Sequence, residues 1–395
     1  MKVKNTLTRE NSTMPDIAKG LVICGIAFFA FPACALTVEI SNPLPEARVG
    51  EIVEISASLP GLTGPTYVVY DANGREIQSQ LTYDGKLIFP VTVDSLGTVR
   101  VSVLEGKPSQ KFPVYVGGRQ YPERKDDLAW ENEHSAYRAY GPALERSGER
   151  AFGYDIWSKS VAYPILEQRY YDDRVRRISF HEDHGNGQDD YAVGPTLGGG
   201  TAALLDKSGK IVYPYCYKEY EILDNGPLRF TVSLEYNPVN VDGADVTETR
   251  LISLDSGSWL NKTKLRYEGL KGKSRLVQGI VVHTNNPKAW SASKKGHYVA
   301  NQDINQHPER NNGTVFVGIV SPASDTFRFM PMAEDVKDAE GHVVAVGDYQ
   351  PGEEFTYWWG SGWSKGGVVD GNEWESILAT QSRHIANPLK IKIIR

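Results

Sequence analysis

At 395 residues the chain is long for one domain and suggests two. Its 40% hydrophobic and 23% charged content excludes a disordered chain. The formal net charge is −6, and the first 35 residues hold four basic and two acidic groups, so the remainder carries −8. That balance argues against a nucleic-acid partner, yet an anionic sugar would need only a local cluster of arginines.

Residues 1–35 read as a secretory signal peptide. A positively charged start precedes the apolar run Gly20-Leu-Val-Ile-Cys-Gly-Ile-Ala-Phe-Phe-Ala-Phe31, which is short for a membrane span, and Ala33-Cys-Ala35 offers a small-x-small cleavage site. Acylation of Cys34 is disfavoured by the preceding Phe31-Pro-Ala33. The expected location is periplasmic or secreted, in a bacterium, with no membrane contact after leader removal. Cleavage after Ala35 leaves Cys216 as the remaining cysteine, so neither an internal disulfide nor a cysteine-based metal centre is expected.

Residues 36–117 show short alternating runs at 38–40, 52–55, 67–70 and 99–103. Between them, Asp71-Ala-Asn-Gly74 and Asp84-Gly85 are turn sequences that tolerate left-handed backbone angles. This spacing predicts a small immunoglobulin-like β-sandwich with an accessory role. Gly117-Gly-Arg-Gln-Tyr-Pro-Glu-Arg-Lys-Asp-Asp127 reads as a linker by composition.

From 118 to 395 the pattern is again strand, with longer connections. Runs at 228–234, 246–254, 259–267, 276–283, 314–320, 355–359 and 389–394 alternate or are continuously apolar, and 377–383 is a helical window. The prediction is all-β: a large antiparallel sandwich, expected to be the catalytic half.

The chemistry concentrates in three places. Trp130-Glu-Asn-Glu-His-Ser-Ala-Tyr-Arg138 could point His134 and Arg138 together on either a helix or a strand. The stretch His181-Glu-Asp-His-Gly-Asn-Gly-Gln-Asp-Asp-Tyr191, leading into Val193-Gly-Pro-Thr-Leu-Gly-Gly-Gly200, packs two of the eight histidines with four carboxylates and a tyrosine among glycines. Glycine permits close backbone approach to a ligand, and His, Asp and Tyr carry protons, so a small-molecule site is expected there. Near the end, Trp358, Trp359 and Trp363 surround Gly360-Ser-Gly362. Strand alternation is expected to bury Trp358 or Trp359 and to leave Trp363 as a sugar platform. His283, ending an apolar strand, is a candidate for the same cleft, while His297, His307, His342 and His384 are expected at the surface.

Glu131-Asn-Glu-His134, Arg138-Ala-Tyr-Gly-Pro142, Tyr154-Asp-Ile-Trp157, His181-x-Asp-His-Gly-x-Gly-x-Asp189, Tyr191-x-Val-Gly-Pro-Thr-Leu-Gly198 and Tyr357-Trp-Trp-Gly-Ser-Gly-Trp363 together resemble bacterial domain-of-unknown-function family 4861. The likeness runs from about Tyr121 to the C-terminus, with Glu182 and Gln188 at variable positions. The resemblance implies a secreted protein of polysaccharide-degrading bacteria. It also implies a β-supersandwich related to the galactose-mutarotase-like fold, and elimination across C4–C5 of uronate-containing oligosaccharides by a lyase or dehydratase.

Uronate elimination needs a cation on the carboxylate, a base for the C5 proton and an acid for the leaving oxygen. The residues available are His134, His181 and His184 for base or acid, Tyr191 for acid and Arg138 for the carboxylate. Asp155, Asp189, His283 and Trp363 are candidate substrate contacts. Competing readings are a glycoside hydrolase or epimerase on the same fold, using Asp155, Asp189 and Glu131, and a non-catalytic carbohydrate-binding protein. No cofactor or metal is assigned. A divalent cation on His181 and His184 with Asp183, Asp189 or Glu131 is a possible alternative use of the same atoms.

Overall fold

The computed structural model describes residues 35–59, 64–304 and 310–394. The leader assigned to 1–35 lies outside them apart from Ala35, and so does His307. The chain folds as expected into predominantly antiparallel β-structure, with a small sandwich beside a large one.

In the small sandwich, alternation decides which side chains face inward. Strand Leu36–Ser41 buries Leu36, Val38 and Ile40 and leaves the residues between them half-exposed. It sits in a five-stranded sheet between Thr98–Glu105 and the distant Lys390–Ile394; Tyr67–Tyr70 and Glu76–Ile77 continue beyond Thr98–Glu105. Arg48–Ser56, Lys86–Val93 and Gln80–Leu81 form the facing sheet. Val38, Ile40, Val69, Phe89 and Val103 fill the space between.

Two boundaries read from the sequence move. The C-terminal strand Lys390–Ile394 belongs to the small sandwich, pairing Thr37 with Ile394 and Ser41 with Lys390, so that sandwich is not confined to residues 36–117. The supposed linker from 117 begins with a true strand, Gly117–Tyr121, paired with Asp127–Glu131. Its glycines misled because they serve packing: a Cβ on Gly118 would lie 2.6 Å from the Ala129 carbonyl oxygen.

The large unit has three sheets. A nine-stranded sheet runs in the order Tyr217–Asn225, Arg229–Tyr236, Ala244–Asp255, Leu260–Glu268, Phe355–Trp363, Thr314–Val320, Tyr298–Ile304 and Trp290–Ser293, with Val239–Val241 paired to Ala244–Asp255. Facing it are a five-stranded sheet centred on Ser274–His283 and a four-stranded sheet of Gly117–Tyr121, Asp127–Glu131, Ser135–Ala139 and Asp155–Ser158. The core between them includes Trp130, Phe230, Ile252, Ile280, Val317 and Trp359. The helical window is part of a longer helix, Gly371–Ala386, capped by Asp370, whose carboxylate accepts from the Glu373 amide. Its Trp374 and Leu378 pack with Phe316 and Val320 of the nine-stranded sheet.

The two units are tied at defined points. Arg229 reaches Asp255 in its own sheet and Glu54 of the small sandwich, each at 2.6 Å. The side-chain Oε1 of Gln80 accepts the amides of Leu228 and Arg229 at 2.8 Å. Arg383 near the end of the helix reaches Glu46 at 2.8 Å.

Removing residues 390–395 should expose the edge of Leu36–Ser41 and loosen the small sandwich alone. The expected result is protease cleavage within residues 36–105 of the shortened chain, with the large unit intact. The small unit's melting midpoint should fall by roughly 4–8 °C, the shift about 1 kcal/mol produces in a domain of that size. Identical cleavage patterns for both chains would contradict this.

Candidate functional site

Residues on Ser135–Ala139 alternate between two interiors. Tyr137 enters the main core, whereas Ala136 joins a smaller cluster with Tyr121, Trp157, Leu166, Tyr170 and Phe180. Arg138, on that second face, is 5% exposed and surrounded by carboxylates. Its guanidinium contacts Asp127 at 3.3 Å and Asp189 at 3.1 Å and forms an ion pair with Asp155. Trp157 Nε1 donates to Asp155 at 3.1 Å and the Tyr170 hydroxyl donates to Asp127 at 3.2 Å.

One guanidinium cannot neutralise three buried carboxylates. Burial pushes Asp155 up to about 7 and Asp189 up to about 6, with Arg138 opposing the rise, and burial raises Asp127 as well. Arg138 is therefore committed to the fold and not offered to a substrate carboxylate. Asp155 and Asp189, 0% and 2% exposed, are its partners and not substrate contacts. Glu131 is equally committed: it accepts the amides of Ile165 and Leu166 and pairs with Lys159 at 2.7 Å. These positions do not offer the accessible carboxylate pair a glycosidase needs.

The 181–191 stretch is held by its own backbone. Asp183 Oδ1 accepts the amides of Gly185 and Gly187 at 2.9 Å. Gly187 has φ +103°, and a Cβ there would lie 2.1 Å from the Ser158 carbonyl oxygen. The glycine thus serves contact with a neighbouring strand, not with a ligand. Phe180 is buried and anchors the stretch, leaving His181 at the surface with its side chain 55% exposed.

His181 Nδ1 lies 2.8 Å from the Asp189 carbonyl oxygen and 3.7 Å from its carboxylate. Because a carbonyl can only accept, neutral His181 carries its proton on Nδ1 and presents the Nε2 lone pair outward. His184 is also exposed, but its Nε2 faces the Ser179 carbonyl at 2.9 Å. The two rings are fixed on different carbonyls and Asp183 is occupied by amides, so these groups do not converge as cation ligands.

The other expected members lie apart. Tyr191 is buried and donates to the Gly198 carbonyl at 3.1 Å, and burial holds its hydroxyl well above the usual range. It is a locked donor, not an acid within reach of a sugar. His134 stacks on Trp259 with 3.7 Å between ring centroids and contacts the Gly257 carbonyl at 3.3 Å, beside the turn after Ala244–Asp255. Burial lowers its pKa. Trp363 is 1% exposed, with its indole nitrogen donating to the Asn312 carbonyl at 2.7 Å, so it is no platform.

His283 is buried with Nδ1 3.0 Å from Asp303 and Nε2 2.9 Å from the Ala192 carbonyl. Burial works most strongly against its charge, but Asp303, the Ala192 carbonyl and Asp338 together outweigh it and the pKa rises. Two acceptors on two ring nitrogens define an imidazolium. His342, expected at the surface, is buried and accepts the Leu197 amide at 3.1 Å; burial lowers it to about 3. His384 lies against Glu46 at 3.2 Å and Glu51 at 3.6 Å.

Sequence reasoning missed Arg124 and Tyr140. Arg124 ends the turn Pro122–Arg124, with its guanidinium 5.9 Å from the Phe180 ring centroid, and its charge acts on Asp127 and Asp189. Among the described residues it has no carboxylate within ion-pair distance. The Pro-Glu-Arg order, with proline opening a turn, was the available signal. Half-buried Tyr140 has its hydroxyl 3.5 Å from Arg138 Nη2, and burial keeps that hydroxyl protonated. Arg124, Tyr140 and His181 thus border the buried charge cluster.

Raised carboxyl values have a definite sign in stability. Between the unfolded value of 3.8 and about 7, the folded cluster binds more protons than the unfolded chain, so its contribution declines as pH rises through that window. Asp155→Asn mimics the protonated form. The melting midpoint of the unaltered protein should therefore fall more steeply between about pH 4 and 7 than that of Asp155→Asn. Equal slopes by calorimetry would show that the cluster does not hold these protons.

Uncharacterized protein P7 of Formosa agariphila is 32% identical over 180 residues, which is 44% of this chain and 44% of that protein. The chain thus spans less than half the length of the curated relative it matches. A protein in the glycosyl hydrolase family 38 from Enterococcus faecalis aligns over 92% of this chain and 48% of its own, with TM-score 0.48 and 9% identity. An alpha-mannosidase from Enterococcus faecalis V583 aligns over 92% and 46%, with TM-score 0.43 and 11% identity. A family profile described as Domain of unknown function (DUF4861) matches residues 40–391, nearly the whole described chain, and the protein belongs to that family.

Proposed function

We propose that the protein is a secreted, carbohydrate-active enzyme that performs β-elimination on uronate residues of acidic oligosaccharides, at the surface bordered by His181, Arg124 and Tyr140. The observation that carries this reading is the orientation of His181. Its Nδ1 is fixed on Asp189 and its Nε2 faces solvent, the arrangement a general base needs before it meets substrate.

In the reaction, Arg124 neutralises the sugar carboxylate and makes the C5 proton more acidic. His181 Nε2 takes that proton, the released electron pair forms the C4–C5 double bond, and the C4–O bond breaks. Tyr140 supplies a proton to the departing oxygen. The buried carboxylates behind His181 stabilise the imidazolium formed in the step. The chemistry is the same whether the departing group is a sugar or water, so both lyase and dehydratase outcomes fall within the proposal.

The test is ultraviolet absorbance of the unsaturated product during incubation with uronate oligosaccharides, with mass spectrometry to identify what leaves. His181→Ala and Tyr140→Phe should each lower the rate by about a hundred- to ten-thousand-fold in protein whose circular dichroism is unchanged. Arg124→Ala should lose activity on uronates. Near-normal rates in folded His181→Ala would end the proposal, as would the absence of any unsaturated product from a broad panel of uronate oligosaccharides.

A further inference from the structure

A second concavity lies against the run Val193-Gly-Pro-Thr196 and has no part in the elimination described above. It is a cleft of about 610 Å³, within the roughly 300–1,000 Å³ typical of small-ligand sites. One wall is aromatic: Phe152 and Tyr213 lie with ring centroids 5.6 Å apart and planes tilted by 39°. The arginine of the cleft, Arg150, sits with its guanidinium 5.3 Å from the Phe152 ring centroid.

The polar groups divide into those already engaged and those open. Lys210 is paired with Glu334 at 2.8 Å, and Lys337 lies 3.7 Å from Asp338. The His283 imidazolium is balanced by Asp303. Arg150, by contrast, has no carboxylate within ion-pair distance among the described residues. Tyr213 likewise has no hydrogen-bond partner for its hydroxyl among them, and burial of its ring pushes that hydroxyl up to about 12, so it is a donor at any working pH. At Gly194 (φ +54°) an added Cβ would meet nothing within 4 Å, so the backbone there faces open space.

A guanidinium with no ion-pair partner among the described residues, a phenolic donor and tilted aromatic faces suit one class of ligand. The fork binds a carboxylate, the phenol meets a ring hydroxyl, and the aromatic faces cover the apolar side of a pyranose. We propose that this cleft is a second saccharide site, distinct from the His181 surface, that binds a carboxylate-bearing sugar through Arg150 and Tyr213.

Calorimetric titration of His181→Ala protein, which should not turn the sugar over, with a galacturonate trisaccharide provides the test, with maltotriose as the uncharged probe. Adding Arg150→Ala should weaken galacturonate binding about ten- to a hundred-fold, the range for losing a charge-assisted contact, and should leave maltotriose unaffected. Tyr213→Phe should weaken it less. Unchanged galacturonate affinity in both variants, or no galacturonate binding at all, would overturn the second site. The binding readout does not depend on catalysis, so lost affinity in Arg150→Ala would support the cleft even if no elimination were found.

Discussion

The arrangement around His181 depends on one guanidinium and three carboxylates. Arg138 draws together Asp127 and Asp155 from neighbouring strands and Asp189 from a segment that follows much later in the chain. The cluster is costly to bury, and it would be costlier still to break, because removing Arg138 would leave the carboxylates without their shared cation. Its position fixes Asp189, and Asp189 fixes the ring of His181. Surface chemistry is thus oriented by an interior that solvent barely reaches.

The same logic recurs elsewhere in the large unit. Arg250, fully buried on an inward face, is satisfied by Glu248, the hydroxyls of Tyr154 and Tyr236, and the Ala202 carbonyl. Tyr154 stacks on Trp359 with 4.2 Å between centroids. Arg138 and Arg250 are thus charged groups held inside the large unit by their partners, as are the buried pairs Lys159–Glu131 and His283–Asp303.

Strand content was legible in the sequence because a period of two is a local property. Strand membership was less legible. Nothing local in 389–394 says that it pairs with residues 37–41, and the glycines of 117–118 resemble a linker until their close approach to Ala129 and Trp130 is seen. One error was avoidable by parity alone. Trp359 and Trp363 are four residues apart on one strand and so share a face, which means that burying the first commits the second. The candidate site was half legible. His181 stood out as an exposed histidine in a titratable loop, but Arg138 and Tyr191 have the right chemistry and the wrong exposure. A sequence gives the identity of a group without saying whether its hydrogen bonds are already spent.

The pairing of Thr37 with Ile394 has a consequence for how the protein is made. The strand Leu36–Ser41 acquires one of its two neighbours only after residues 390–394 have been made. During synthesis the small sandwich must therefore stay incomplete while the much larger unit between its strands is made. Closing a contact of such sequence separation is slow. In order of completion, the small sandwich therefore closes after the strands of the large unit have been made.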